Sequence, residues 1–355
     1  MTVLIFILVL LVLIIGHEFG HFITAKLLKM KVLEFGVGFP PKIFGKKFSE
    51  DGTEYTVNWL PFGGFVRIFG EDAREATDPV AFPNRPVLHQ ALTLFAGPFA
   101  NLVLAVALST AALMIGTLTI FDPSDVPSAV HDAHVIVAAV VPGSPAEEAG
   151  IAPGDTILSA ENPEAFAESV AASDGPVTVT LSHNNETQMV TMTPVAGLVA
   201  DEPNRKVIGV STALVGTMSY PIHTALWRAV VDTAHDFVFI LVSIMTLIGS
   251  AFTLSADVSQ IAGPVGIATL TGDAARLGFG SLLSFAALLS TNLAIINLLP
   301  FPALDGGRLL FLGIETLFRR KIPLKTAQVV NTAGFAILIL LMLAVTAQDV
   351  WRLIG

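Results

Sequence analysis

Five stretches of the chain are apolar over lengths approaching the roughly 20 residues a helix needs to cross a bilayer. They begin near Thr2, Ala91, Phe237, Ser281 and Asn331. The first carries no charge over residues 2–16, and its helical pattern continues to about Leu28. It is too long for the core of a secretory signal and lacks a basic start and a small-residue cleavage site, so it reads as a retained helix. Residues 34–70 instead mix Gly, aromatic and β-branched positions in alternation, which predicts hairpin strands. From Phe121 to His223 the pattern is that of a soluble module. Period-two strands are expected at 135–141, 177–182, 188–193 and 207–211, and short helices at 145–149 and 163–172.

Composition places this pattern in a membrane. Of 355 residues, 53% are hydrophobic and 14% charged, with a mean hydropathy of +0.72, far from the usage of soluble domains. The absence of cysteine excludes a disulfide framework, thiolate metal ligation and a cysteine nucleophile, so any metal would be held by His, Asp or Glu. A net charge of -10 argues against a nucleic-acid partner.

The distribution of charge orients the chain. Nine of the nineteen Lys and Arg residues lie from Lys26 to Arg85 and five from Arg308 to Lys325, whereas the long stretch from Phe121 to Gly280 has four. Basic loops stay in the cytoplasm, which sets the N-terminus and residues 121–280 outside. Four crossings satisfy this count. The apolar segment at 237–256 must then lie along or dip into the outer interface, led in by Trp227, Arg228, Asp232, His235 and Asp236; the alternative is a fifth crossing helix.

Candidate chemistry stands near the end of the first helix, in His17-Glu18-Phe19-Gly20-His21. Residues four apart share a helical face, so both imidazoles can reach one Zn²⁺ while Glu18, about 100° round, approaches an attacking water. Ionisable groups following fifteen uncharged residues cost about 2.5 to 3.5 kcal/mol at depth unless paired or working, which sets this motif apart from a chance match. A catalytic zinc needs a third protein ligand. The region that fits is Asn297-Leu-Leu-Pro-Phe-Pro-Ala-Leu-Asp-Gly-Gly307, whose prolines break a helix at a depth where irregular backbone must line a cavity. His17 lies roughly 24 Å along its helix and Asp305 roughly 36 Å beyond Ser281. The two share a leaflet if both helices run inward, as the basic residues require.

At this point the chain resembles a family. HEFGH in a first helix, Gly-Pro-Phe-Ala-Asn101 in the second, an outer insert and N-x-x-P-x-P-x-L-D-G in the third are together similar to site-2 proteases, in particular the bacterial regulator-of-sigma-E protease type. The resemblance implies one Zn²⁺ per chain on His17, His21 and Asp305, Glu18 as general base, and Asn297 as a substrate-positioning or transition-state-stabilising residue. It makes residues 34–70 a membrane-re-entrant β-loop next to the active site. A substrate helix must expose its peptide bond to be cut, so a strand edge at Phe65, Val66, Arg67, Ile68 and Phe69 is expected to hold it extended. The string from Pro142 to Leu158 is similar to bacterial PDZ domains, which bind peptides by strand addition; the alternative is a spacer or size filter that binds no peptide. The chain has room for one such domain.

The resulting expectation is a polytopic α-helical membrane protein with four transmembrane helices, a re-entrant β-loop and one α+β PDZ-like domain. Its parts are a first span at 1–30, the β-loop region at 31–90, a second span at 91–120 and an outer region at 121–222 with its core near 130–215. An interfacial segment at 223–280, a third span at 281–307, a cytoplasmic loop at 308–330 and a fourth span at 331–355 follow. The expected activity is intramembrane zinc endopeptidase action on single-span membrane proteins in the bacterial inner membrane, such as anti-sigma factors or signal-peptide remnants. Its active site would face the cytoplasmic leaflet and its PDZ-like domain the periplasm, where that domain could take a peptide ligand. The alternatives are a PDZ membrane scaffold with a structural metal, disfavoured by Glu18, and a transporter, for which no inverted repeat is visible.

Overall fold

The computed structural model describes residues 1–47, 52–70, 78–121, 130–183, 186–198, 202, 204–252 and 262–354. Its helices are α1 (Thr2–Leu27), α2 (Val87–Ile115), α3 (Pro145–Glu148), α4 (Pro163–Ala171), α5 (Ile222–Phe252), α6 (Pro264–Arg276), α7 (Phe279–Leu298), α8 (Asp305–Phe318) and α9 (Leu324–Ile354). The chain divides into two units, Met1–Ala112 with Ile222–Gly355, and Leu113–Pro221.

In the first unit, α1, α2, α5, α7 and α9 are long and apolar enough to cross a membrane, so the chain is a multi-pass membrane protein. Along α1 the buried residues are Leu13, His17, Gly20, His21 and Ala25, a single stripe at helical spacing. Both histidines therefore turn away from lipid. The helix expected over 91–120 is shorter at its end, because α2 stops at Ile115 and a strand begins after Gly116. α5 starts well before the expected segment and runs unbroken through its polar lead-in. Length and apolarity do not separate it from the other four candidates, and residues 253–256 of that segment lie outside the described residues.

The span expected over 281–307 also ends early. α7 stops at Leu298, since neither Pro300 nor Pro302 has an amide to continue it, and Ala303 takes a left-handed backbone at φ 76°. α8 then restarts at Asp305 and fills the first part of the 308–330 stretch expected as a loop, with Leu312 buried on its inner face. The helical spacing of Leu309, Leu312 and Thr316, which face a common groove with α2, explains why this stretch is helix.

Two long bent strands, β1 (Val32–Lys47) and β2 (Glu54–Ile68), form the first unit's sheet. Each pairs in two halves. Phe35 faces both Tyr55 and Val66, while Phe44 faces Val57. The resulting order is 42–47, 54–57, 32–37, 64–68, with 64–68 one of its two outer edges. Ala25, Met30, Val32, Ile68, Phe82 and Leu94 form the small core that ties this sheet to α1 and α2.

The Gly263-Pro264-Val265-Gly266 turn opens α6, and no side chain of its own caps that end. Asp349 from α9 does so instead. It is 5% exposed and accepts from the amides of Gly263 (3.3 Å) and Gly266 (2.8 Å). Asp349→Ala should strand one buried and one half-buried donor and cost about 1–3 kcal/mol, read as a lower thermal midpoint. Unchanged stability would mean that water replaces the carboxylate.

The second unit is a six-stranded antiparallel sheet in the order β3-β8-β4-β5-β6-β7. Its strands are β3 (Thr117–Phe121), β4 (Val130–Val140), β5 (Thr156–Ile157), β6 (Val177–His183), β7 (Glu186–Met192) and β8 (Val210–Met218). The last begins three residues after the expected start, because Val207 pairs with Val195 in a separate bridge. Val135, Val137, Ile157, Phe166, Val179 and Leu181 fill its core, and Ser144 and Asn162 cap α3 and α4 by accepting from Glu147 and Ala165 amides.

Candidate metal centre

α1 and the α7–α8 break bring three donors together. His17 Nε2 and His21 Nε2 are 3.1 Å apart, and Asp305 Oδ2 lies 3.0 Å from the first and 3.2 Å from the second. Corners of a tetrahedron with metal bonds of about 2.0 Å are about 3.3 Å apart, so this triangle has the size of one face of a zinc site. Among the described residues these three are the cluster of His, Asp and Glu side chains able to hold a metal.

The backbone around each donor is specialised. Asp305 is placed by the turn from Leu299 to Leu304, and Gly306 and Gly307 let that turn close. A Cβ at either would stand 2.2 Å from a carbonyl oxygen, of Leu299 or of Phe301. Ala303 keeps its left-handed conformation with its amide donating to Asn331 Oδ1 (3.2 Å), a strain of the kind that clusters at functional sites. On α2, Gly97 leaves the space that the imidazoles occupy, since a Cβ there would stand 2.2 Å from His21 Nε2 and 2.8 Å from His17 Nε2.

The imidazoles are held from behind. His21 Nδ1 lies 2.7 Å from the Thr93 carbonyl, which can only accept, so Nδ1 carries the proton and Nε2 keeps its lone pair for a metal. His17 Nδ1 lies 3.2 Å from Asn101 Nδ2, and Asn101 Oδ1 is buried with no partner. Turning that amide over satisfies the oxygen against Nδ1–H and frees His17 Nε2 in the same step. The residues present thus fit a zinc ion. α7 fixes Asn101 in turn, with Ser290 Oγ donating to the Asn101 carbonyl at 2.8 Å. Asn101→Leu should weaken zinc binding about 10- to 100-fold in competition with a chelator, while Asn101→Asp retains it. Equal affinity in the Leu variant would remove Asn101 from this role.

A cavity of about 300 Å³ opens in front of the triangle. His17, Glu18, His21 and Asp305 line it together with Asn297, Phe65, Val66 and Ile68. Arg67 and Phe69 from the expected strand edge do not. Glu18 lies against the outer strand, where a Cβ on Gly64 would come within 3.3 Å of its Cγ. Sequence reasoning missed Arg308, Phe82 and Ala303, which also line the cavity. Arg308 stacks on the Phe82 ring at 5.6 Å; its position three residues after Asp305, on the same helix face, was the available signal.

Peptidase family M50 matches the chain over residues 5–341. Among curated proteins, a relative in Clostridium perfringens is 36% identical over 95% of both chains. One in a Nostoc species is 34% identical over 96% of this chain and 93% of its own. Another in Campylobacter jejuni is 32% identical over 98% and 93%. All three are named as zinc metalloproteases.

Proposed function

Because the chain belongs to peptidase family M50, the site-2 proteases, and is a membrane-embedded zinc metalloprotease, we propose that it hydrolyses a peptide bond within or beside the transmembrane segment of single-span membrane proteins. Such substrates include anti-sigma factors and signal-peptide remnants. The observation that carries this reading is the convergence of His17, His21, Asp305 and Glu18 in one cavity beside an outer β-strand, inside a bundle of apolar helices.

His17, His21 and Asp305 hold the zinc, which when bound polarises the scissile carbonyl and acidifies water. Every other part falls to the chain. A helical substrate offers no free peptide bond, and the outer strand at 64–68 can pair with it in extended form, Phe65 and Val66 facing the cavity. Glu18 takes a proton from the attacking water and returns it to the leaving amine. Asn297 supplies an amide to orient the substrate carbonyl. The apolar helices keep bulk water away.

The distribution of Lys and Arg supports crossings by α1, α2, α7 and α9, with the active site toward the cytoplasmic leaflet of a bacterial inner membrane. α5 then lies at the outer interface, consistent with Arg228, Asp232, His235 and Asp236 along its first half. The acidic second unit reads as a single PDZ-like domain on the periplasmic side, with a groove between α4 and β8 lined by Phe166, Val170 and Val210 that suits a peptide ligand.

The test is co-expression with a tagged single-span protein, followed by mass measurement of the fragments. A cut inside or within a few residues of the apolar segment supports the reading. Cuts confined to the soluble portion would make it a protease of extramembrane chain, and no cut across a panel of substrates would favour a scaffold instead.

A further inference from the structure

At the opposite end of α8 from Asp305, the first turn of α2 and the end of α8 enclose a second cavity, of about 310 Å³. Arg85, Arg319, Arg320 and Lys321 line it. The acid on its wall, Glu315, is occupied by the Ile322 amide at 2.8 Å. The cations meet neutral groups. Lys321 Nζ donates to the Pro83 carbonyl (2.8 Å) and Asn84 Oδ1 (2.9 Å), and Arg85 donates to the Leu28 and Lys29 carbonyls at 2.9 Å each. Arg85 Nε is buried without a partner. Among the described residues, the Arg319 and Arg320 side chains have no ion pair or hydrogen bond. A helix C-terminus attracts positive charge, but one or two cations satisfy it; four around a cavity exceed that need.

The cavity does not end in solvent on every side. Val87, Leu312 and Thr316 are shared with an adjoining groove of about 400 Å³, whose other walls are Ala91, Leu309, Gly313 and Leu317. Here the lining is apolar, and it runs alongside the start of α2, one of the membrane-length helices. A basic pocket continuous with an apolar groove at a helix end matches a molecule with an anionic head and hydrocarbon chains.

We infer that this is a binding site for one anionic phospholipid, its phosphate among Arg85, Arg319, Arg320 and Lys321 and an acyl chain in the groove between α2 and α8. The site is separate from the catalytic cavity, and its occupancy does not depend on the substrate reading.

The test titrates the purified full chain in non-ionic detergent with phosphatidylglycerol and counts bound lipid by native mass spectrometry. Two variants probe the two halves of the site. Arg319→Gln with Arg320→Gln removes exposed charge without touching the core. Gly313→Leu fills the groove, where an added Cβ meets nothing within 4 Å, and improves helix propensity, so it should fold at least as well as wild type. Expected are saturation at one lipid per chain, an affinity about thirtyfold weaker in the double variant, a comparable loss in Gly313→Leu with an unchanged thermal midpoint, and weak binding of phosphatidylcholine with the same chains. Equal binding of the two lipids, or wild-type affinity in both variants, would overturn the inference. Displacement of phosphatidylglycerol by glycerol phosphate at equal concentration would also overturn it, since the site would then take a free phosphate.

Discussion

Glu18→Gln is expected to abolish detectable cleavage while leaving zinc in place. Gln keeps the length and shape of Glu and can still donate and accept hydrogen bonds, but it cannot take a proton from water at neutral pH. The three donors are on other side chains, His17, His21 and Asp305, so the triangle of 3.0–3.2 Å separations does not depend on Glu18. Loss of a positioned general base costs about 10²–10⁴-fold in rate. Single-turnover cleavage of a tagged single-span substrate reads the effect, beside zinc content of the same preparation. Cleavage within threefold of wild type would assign the proton transfer elsewhere. Zinc lost together with activity would make Glu18 a structural partner of the site.

Gly97→Ala should be nearly as damaging by a different route. One methyl group must fit where His21 Nε2 lies 2.2 Å and His17 Nε2 2.8 Å from the new carbon, distances that carbon and nitrogen do not tolerate. The imidazoles can retreat only by giving up the Thr93 and Asn101 contacts that hold them. Zinc affinity should fall by more than about 100-fold, beyond the usual effect of losing a supporting contact. Ala is a better helix former than Gly by about 1 kcal/mol, so the variant should fold. Calorimetric zinc titration with a parallel thermal scan separates the two effects. Full zinc binding would show that α2 moves aside, and that the close packing at Gly97 is not what shapes the site.

The site was easier to read in the sequence than the backbone that builds it. HExxH has a spacing that physics ties to one helix face, and polar residues in an apolar stretch stand out by their cost. Asp305 followed from the prolines that must end a helix. Asn101 was visible only as part of a Gly-Pro-Phe-Ala-Asn element, because an amide in a helix gives no sign of what it touches 84 positions away. The same holds for Asp349, whose bond to the Gly263 turn crosses from one helix to another, and no local pattern marks it. α8 was missed because basic residues suggested a loop, although Leu309 and Leu312 kept a helical period. In the second unit, alternation located β6 and β7 to within two residues but missed the first five residues of β4, while β8 was displaced by an isolated bridge that depends on tertiary pairing. The bend that makes β1 and β2 pair twice has no sequence period of its own. That bend makes 64–68 an outer strand, so the cavity-facing set is Phe65, Val66 and Ile68, without Arg67 and Phe69.

We propose that zinc held by His17, His21 and Asp305 is what makes this membrane bundle a protease. This is tested most directly by reconstituting the purified chain with a single-span substrate, stripping the metal, restoring zinc, and recording the zinc-edge X-ray absorption of the restored sample. Expected are one zinc per chain, a shell containing two imidazole nitrogens and carboxylate oxygen at about 2.0–2.2 Å, and cleavage that disappears and returns with the metal. Cleavage that persists in the stripped protein, or a restored zinc without imidazole ligands, would contradict it.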